Sequence, residues 1–393
     1  MRKRPLTFIL AAGGTAGHMF PADALKDELI KRGYRVLLFT DARGTVFPDL
    51  FEGVETHLIE SGTFSTGSFL GKLKTGWNLL KGSLKASWLL FKISPAGVVG
   101  FGGYPVVPTM AAARLWTIPY CLHEQNAVLG RANRLMAGKA KAIALSFAKT
   151  RKLKGSKRLT TKVIGNPVRG SIIELGNKPY PSQGKDYVIR LLVFGGSQGA
   201  RVFSNVVPEA LSMLPKAVRG RLQVTQQCRK EDIERVEVSY RNAGIAAEVF
   251  EYIRDIPGRL QWSHLVISRA GATSLFELAA AGRPSILVPL PGAMDDHQSA
   301  NARVMEAAGG GWMMPEAEFT SPGLAKLIQK LSLKPDALKK AGKAALSISH
   351  PSAVEKLADL VENMAIPSIA RSRRKKGAKA KDSKKQNLKR VLA

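Results

Sequence analysis

The sequence predicts an α/β protein of two similarly built domains, each a parallel sheet with helices on both faces. Three observations carry this reading. Strand-length apolar runs alternate with helical patterns through most of the 393 residues. The alternation restarts midway, and both starts are an apolar strand entering a GG-x-x-G turn and then a helix: FILAAGGTAGH (8–18) and RLLVFGGSQGA (190–200). The chain is also too long for one ordinary core, and its 45% hydrophobic content can fill two.

In the first half, Thr7–Ala12 reads as a strand, Pro21–Arg32 as an amphipathic helix and Arg35–Thr40 as a strand, with further strands at Gly97–Gly100 and Pro119–His123. In the second half, strands are expected at Ile189–Phe194, Leu265–Ile267 and Ser285–Val288, and a helix from about Val202. Proline and glycine at Gly165-Asn166-Pro167 mark the border. The expected division is 1–166, 167–347, a helical segment at 348–368 that returns to the first domain, and a tail at 369–393. Residues 171–186 look like a connecting stretch.

Only Cys121 and Cys228 are present, far apart, which argues against a disulfide framework or a zinc site. The apolar run Phe8–Ala12 is too short for a signal peptide and reads as a buried first strand. No uninterrupted apolar span of about 20 residues is present, so no transmembrane helix is expected.

The formal net charge of +30 calls for polyanionic surroundings, either nucleic acid or anionic lipid. Residues 371–393 hold eleven Lys/Arg against the single acid Asp382, without apolar periodicity, and are expected to be disordered. Residues 149–162 are also rich in Lys/Arg. Residues 64–93 hold five lysines and no acid. There Phe69, Leu70, Leu73, Trp77, Leu80, Leu84, Trp88 and Phe91 follow near-helical spacing, interspersed with Lys72, Lys74, Lys81, Lys85 and Lys92. An interfacial membrane segment wants that mixture. The competing reading packs the apolar stripe on the sheet, and the glycines at 67, 71, 76 and 82 weaken a single long helix.

A strand–glycine turn–helix unit aims backbone N–H groups and a positive helix end at the crevice beyond the strand. Gly13, Gly14 and Gly17 let a polar ligand approach the backbone closely. Two such turns favour a diphosphate or sugar ligand over turns kept for packing. Neither is a P-loop or a G-x-G-x-x-G nucleotide fingerprint. His18 stands where the first loop becomes helix, where neutral imidazole is favoured. It can serve as a general base or simply brace the loop. The stretches Val99–Pro105 and Tyr120–Asn126 place a glycine turn and a polar cluster at strand ends. Ser268–Glu277 opens a helix with small residues, leaving its amide end accessible to a pyrophosphate. Glu277 can take two ribose hydroxyls or only complement the helix dipole. Asp295 and Asp296 could pair on a metal, but helix ends and basic residues can offset a diphosphate, so no metal and no cofactor are expected.

GGTAGH, GGYP, HEQN, GNPVR, GGSQGAR, SRAGATSLFE and DDHQSANA occur here in the order found in the MurG-type family, and the chain resembles that family over roughly residues 6–365. The resemblance implies a GT-B fold of two Rossmann-like domains facing across a cleft. It implies inverting, metal-independent transfer of N-acetylglucosamine from UDP-N-acetylglucosamine to the C4 hydroxyl of a lipid-linked muramyl-pentapeptide, giving lipid II. It further implies a peripheral place on the cytoplasmic face of the bacterial inner membrane, an anionic surface as partner, and cell-wall and cell-division machinery nearby. By motif, Thr15, Ala16, Gly17, Asn126, Arg169, Ser197, Ile253, Ala272, Thr273, Ser274, Leu275, Phe276, Glu277 and Gln298 would form the donor site. His18 would be the base. Gly14, Gly103, Tyr104, His123 and Glu124 would face the acceptor. Phe69, Leu73, Trp77, Trp88, Lys72, Lys74 and Lys81 would meet the membrane. Ala16 departs from the family's usual GGTGGH and narrows the loop. The basic tail lies outside the family pattern. A UDP-N-acetylglucosamine epimerase needs no lipid-facing surface, and a diacylglycerol glycosyltransferase fits HEQN and GNPVR less well. A nucleic-acid-binding protein would need a recognition helix or aromatic strand motifs that are absent here, so no nucleic acid partner is expected.

Overall fold

The computed structural model describes residues 5–46, 50–62, 69–153, 160–182, 188–196 and 199–365, with the side chains of 69–74 and 335 left aside. The first half runs β1 (Thr7–Ala11), α1 (Ala16–Lys31), β2 (Arg35–Thr40), β3 (Glu55–Leu58), α2 (Phe69–Ile93), β4 (Gly97–Gly100), α3 (Val107–Leu115), β5 (Tyr120–Glu124), α4 (Arg131–Met136), β6 (Ala142–Leu145) and β7 (Thr160–Val163). The second runs α5 (Gly170–Ile173), β8 (Ile189–Phe194), α6 (Arg201–Ser212), α7 (Lys216–Arg219), β9 (Leu222–Gln227), α8 (Ile233–Asn242), β10 (Ala246–Phe250), α9 (Ile256–Trp262), β11 (Leu265–Ser268), α10 (Ala272–Ala280), β12 (Ser285–Leu287), α11 (His297–Ala307), β13 (Gly311–Met313), α12 (Ser321–Ser332), α13 (Pro335–Leu346) and α14 (Ala353–Ala365).

The strands form two sheets, in the orders β3-β2-β1-β4-β5-β6-β7 and β10-β9-β8-β11-β12-β13. Every strand pairing is parallel. Parallel sheets carry helices on both faces, so their central strands are apolar throughout rather than alternating. Phe8 to Ala11 are accordingly all buried, as are Leu191 to Phe194. The chain order reverses at β1/β4 in the first sheet and at β8/β11 in the second. Open α/β sheets bind ligands at such switch points, beyond the strands' carboxyl ends.

α14 lies against β4, β5 and β6 of the first sheet and against α1. Its Leu357, Ala358 and Val361 join Phe8 and Leu10 in one core. Arg32 clamps it there, donating to Asp359 at 2.8 Å and to Glu362 at 3.0 Å. The tail at 369–393 lies outside the described residues.

α2 is one continuous helix, although its glycines at 71, 76 and 82 carry a weak helix propensity. Gly82 is required by tertiary packing: a Cβ there would meet the Glu60 carbonyl oxygen. The helix buries Ala86, Leu89 and Leu90 against the sheet. A different stripe faces outward, with Trp77, Leu84, Trp88 and Phe91 at 57, 64, 59 and 67% exposure. The apolar stripe seen in the sequence is thus a second face of α2, separate from the one that packs on the sheet. The side chains of Phe69, Lys72, Leu73 and Lys74 lie outside the described set.

Candidate functional site

The loops at both switch points open into one cleft of about 1230 Å³ between the sheets. On the first side, Gly14–Gly17 follow β1 and Gly102–Tyr104 follow β4. On the second, Gly195 and Gly199 follow β8, and Gly271–Ser274 follow β11. The two walls touch: Thr273 Oγ1 donates to the Gly17 carbonyl at 3.2 Å.

His18 is set by its loop. Its Nδ1 lies 3.1 Å from the Gly13 carbonyl, which can only accept, so Nδ1 carries the proton. Thr15 Oγ1 sits 3.2 Å from the same nitrogen. Nε2 is left as the basic nitrogen, and it faces the glycine turn, 3.6 Å from where a Cβ on Gly102 would stand. Burial pushes the imidazole pKa below its usual 6.5, outweighing the Gly13 hydrogen bond that raises it, and nearby His297 and Arg43 lower it further. The ring is therefore neutral near pH 7 and able to accept a proton.

Glu277 is buried on α10 and accepts from Arg169 Nε and Nη2 at 3.1 and 2.8 Å. Burial raises its pKa and the Arg169 charge opposes that rise. Arg169 also stacks 4.8 Å over Phe20 of α1. Gln298 lines the cleft, and its Oε1 accepts from Leu290 N at 2.9 Å. Gly14, Ala16, Gly103, Tyr104, Glu124, Asn126, Ile253, Ala272 and Ser274 line the cleft as well.

Four of the cleft residues expected from the sequence stand elsewhere or outside the described residues. Leu275 and Phe276 point into the core, where Phe276 stacks on Phe147 at 4.9 Å. A helix shows the cleft only one face, so the run from Ala272 to Glu277 cannot line it throughout. His123 is wholly buried. Gln125 Nε2 lies 3.1 Å from its Nδ1, and Ser146 Oγ and the Gly165 carbonyl lie 3.5 Å from its Nε2. Burial brings its pKa down to about 4. It braces the loops beneath the cleft rather than facing an acceptor. Ser197 lies outside the described residues.

Glu124 and Asn126 are both tied into the cleft wall. Glu124 accepts from Asn126 N, Gly130 N and Asn133 Nδ2 at 3.0, 2.8 and 2.8 Å. Asn301 of α11 then bridges the walls, accepting from Ala127 N at 2.8 Å and donating to Asn126 Oδ1 at 3.1 Å. Asp295 has no free edge for a metal: Arg134 and Lys152 reach it at 2.6 and 2.5 Å across the cleft. Those contacts, led by the Lys152 hydrogen bond, hold its carboxyl pKa low. Arg43, His297 and Asn301 carried no assignment from the sequence. Arg43 sits singly in a loop, with no periodicity to expose it, and His297 and Asn301 are visible only as part of DDHQSANA.

Residues 8–145 match the glycosyltransferase family 28 N-terminal domain and residues 190–364 its C-terminal domain. A UDP-N-acetylglucosamine–N-acetylmuramyl-(pentapeptide) pyrophosphoryl-undecaprenol N-acetylglucosamine transferase from Zymomonas mobilis is 50% identical over 357 residues, covering 91% of this chain and 92% of its own. The protein of the same name from Rhodospirillum rubrum is 48% identical over 359 residues, covering 91% and 92%. The crystal structure of Acinetobacter baumannii MurG superposes with a TM-score of 0.74 at 28% identity, covering 92% of this chain and all of that one. The two parallel-sheet units facing across a cleft are the GT-B architecture, and by fold, site and sequence the chain belongs to glycosyltransferase family 28.

Proposed function

We propose that the chain transfers N-acetylglucosamine from UDP-N-acetylglucosamine to the C4 hydroxyl of the muramyl sugar of a lipid-linked muramyl-pentapeptide, with inversion and without a bound metal. The observation that carries this reading is the opposition, across one cleft, of His18 with a free basic Nε2 and the open amide end of α10 with Glu277 just inside. The acceptor C4 oxygen attacks C1 of the donor sugar, the bond from C1 to the β-phosphate oxygen breaks, and the hydroxyl proton passes to His18 Nε2. The amides at the start of α10 and Arg169 take up the charge left on UDP. Glu277 holds the ribose and Gln298 the sugar hydroxyls. UDP release is expected to require the muramyl acceptor and to persist in EDTA. Turnover abolished by chelator and restored by magnesium would overturn the metal-free part of this reading.

The exposed face of α2 supports docking on an anionic membrane. Phe91 packs 5.1 Å from Trp116, which is itself 43% exposed, while Lys81 and Lys92 lie over the rings of Trp77 and Trp88. Among the described residues no helix is long and apolar enough to cross a membrane. Changing Lys81, Lys85 and Lys92 to Glu is expected to weaken binding to anionic vesicles by about 10²-fold or more, at about 1 kcal/mol per lysine. Activity on a soluble acceptor should survive. Vesicle binding unchanged at low salt would remove α2 as the docking face.

A further inference from the structure

The wall of the cleft that holds His18 carries a second polar device, in the loop after β2. Arg43 lines the cleft with its side chain 48% exposed. Its Nε donates to Asp41 Oδ2 at 2.7 Å. The same carboxylate accepts from Gly14 N through Oδ1 at 3.1 Å. Asp41 is nearly buried and is committed to these two contacts and a 3.5 Å one from Ser61 Oγ. It therefore serves as a brace that shapes the glycine loop and aims the guanidinium at once. Space for the brace exists only because residue 13 is glycine, since a Cβ there would come within 2.7 Å of Asp41 Oδ1. The guanidinium lies beside Gly14, its Cζ and one Nη each 3.7 Å from where a Cβ on that residue would stand. Among the described residues nothing accepts a hydrogen bond from its Nη groups. The other first-half arginine in this lining, Arg131, is drawn toward Asp295 at 3.8 Å.

A fixed guanidinium with its outer edge open is the form in which arginine takes a phosphate through paired hydrogen bonds. We propose that Arg43, held by Asp41, binds the diphosphate on C1 of the acceptor sugar and so sets that sugar's position against His18. This rests on the transfer reading above. C1 and C4 lie at opposite ends of the muramyl ring. A sugar presenting its C4 hydroxyl to Nε2 over Gly102–Gly103 can place its C1 substituent along the same wall, where Arg43 stands beside Gly14. The donor diphosphate has its own amides and Arg169 on the opposite wall, so Arg43 serves the acceptor.

The test compares wild type, Arg43→Ala and Arg43→Lys on three soluble acceptors. One is a muramyl-pentapeptide with a short prenyl diphosphate at C1, one is the same molecule with a neutral alkyl group at C1, and one keeps the diphosphate but lacks the pentapeptide. Arg43→Ala is expected to raise KM for both diphosphate acceptors by roughly 10- to 100-fold, the usual effect of losing a hydrogen bond to a charged group. Donor KM, and kcat/KM on the neutral acceptor, should stay within about two-fold, since neither depends on the lost contact. Arg43→Lys should recover part of the loss by keeping the charge without the fork. An equal loss on charged and neutral acceptors would show that Arg43 only supports the loop. A loss that follows the pentapeptide would assign it to a peptide carboxylate. No change on any acceptor would make it idle surface. Each of these outcomes overturns the proposal. A wild-type enzyme inactive on every muramyl acceptor would instead remove the transfer reading on which it rests.

Discussion

Replacing His18 with alanine is expected to lower kcat by about 10²- to 10⁴-fold, the usual contribution of a positioned base, and to leave donor KM nearly unchanged. Its help arises only as the hydroxyl proton moves, so it is a transition-state contribution. The side chain is anchored by a loop carbonyl and a threonine hydroxyl, which should be able to rearrange locally when the ring is lost. The pH profile gives a second readout. Because burial holds the imidazole pKa below 6.5, the acid limb of kcat/KM should have its midpoint below that pH. The acid limb should disappear in the alanine variant. A variant with near-normal kcat would remove His18 as the base. His123 could not take over, being buried with both ring nitrogens engaged. His297 is the next candidate: it lines the cleft, and its Nδ1 is fixed 2.8 Å from the Met294 carbonyl, leaving Nε2 as the basic nitrogen.

Glu277→Ala is expected to act on the other kinetic constant. Losing a charged acceptor for ribose hydroxyls should raise donor KM by about 10- to 100-fold. The ribose lies away from the bond being broken, so kcat should fall only slightly. Arg169, which now donates twice to Glu277, would be freed as well. Measuring KM and kcat separately, with thermal unfolding as a control, decides the point. A large fall in kcat at unchanged KM would place Glu277 in the chemistry rather than in nucleotide binding.

The features legible in the sequence were those with a repeating physical cause. A central parallel strand covered on both faces must be apolar throughout, and β1 and β8 stand out for that reason. A strand that meets a polar ligand at its end needs glycine, which exposed both switch-point turns. Edge strands lack that signal: β7 is exposed along its whole length and β3 along most of it, so neither leaves an apolar run. His123 was misplaced because polar residues at a strand's end look alike whether they face the cleft or lie beneath it. Its partners Ser146 and Gly165 are 23 and 42 residues away in sequence. Helix propensity alone disfavours the glycines of α2, whereas Gly82 answers to the Glu60 carbonyl packed against it. Arg43 was illegible for the same reason, since its meaning depends on Asp41 bracing a turn 27 residues earlier in the chain.

Sugar transfer onto a lipid-linked muramyl acceptor is measured most directly by following the sugar itself. UDP-N-acetylglucosamine labelled in the sugar is incubated with the enzyme and a lipid-linked muramyl-pentapeptide, and the lipid-phase product is isolated and its new linkage determined by NMR. Label is expected in the lipid phase, with one equivalent of UDP released per sugar transferred and a β linkage to the muramyl C4 oxygen formed from the α-linked donor. Label that stays in the aqueous phase as free sugar or an epimerised nucleotide sugar, or an α-linked product, would contradict it.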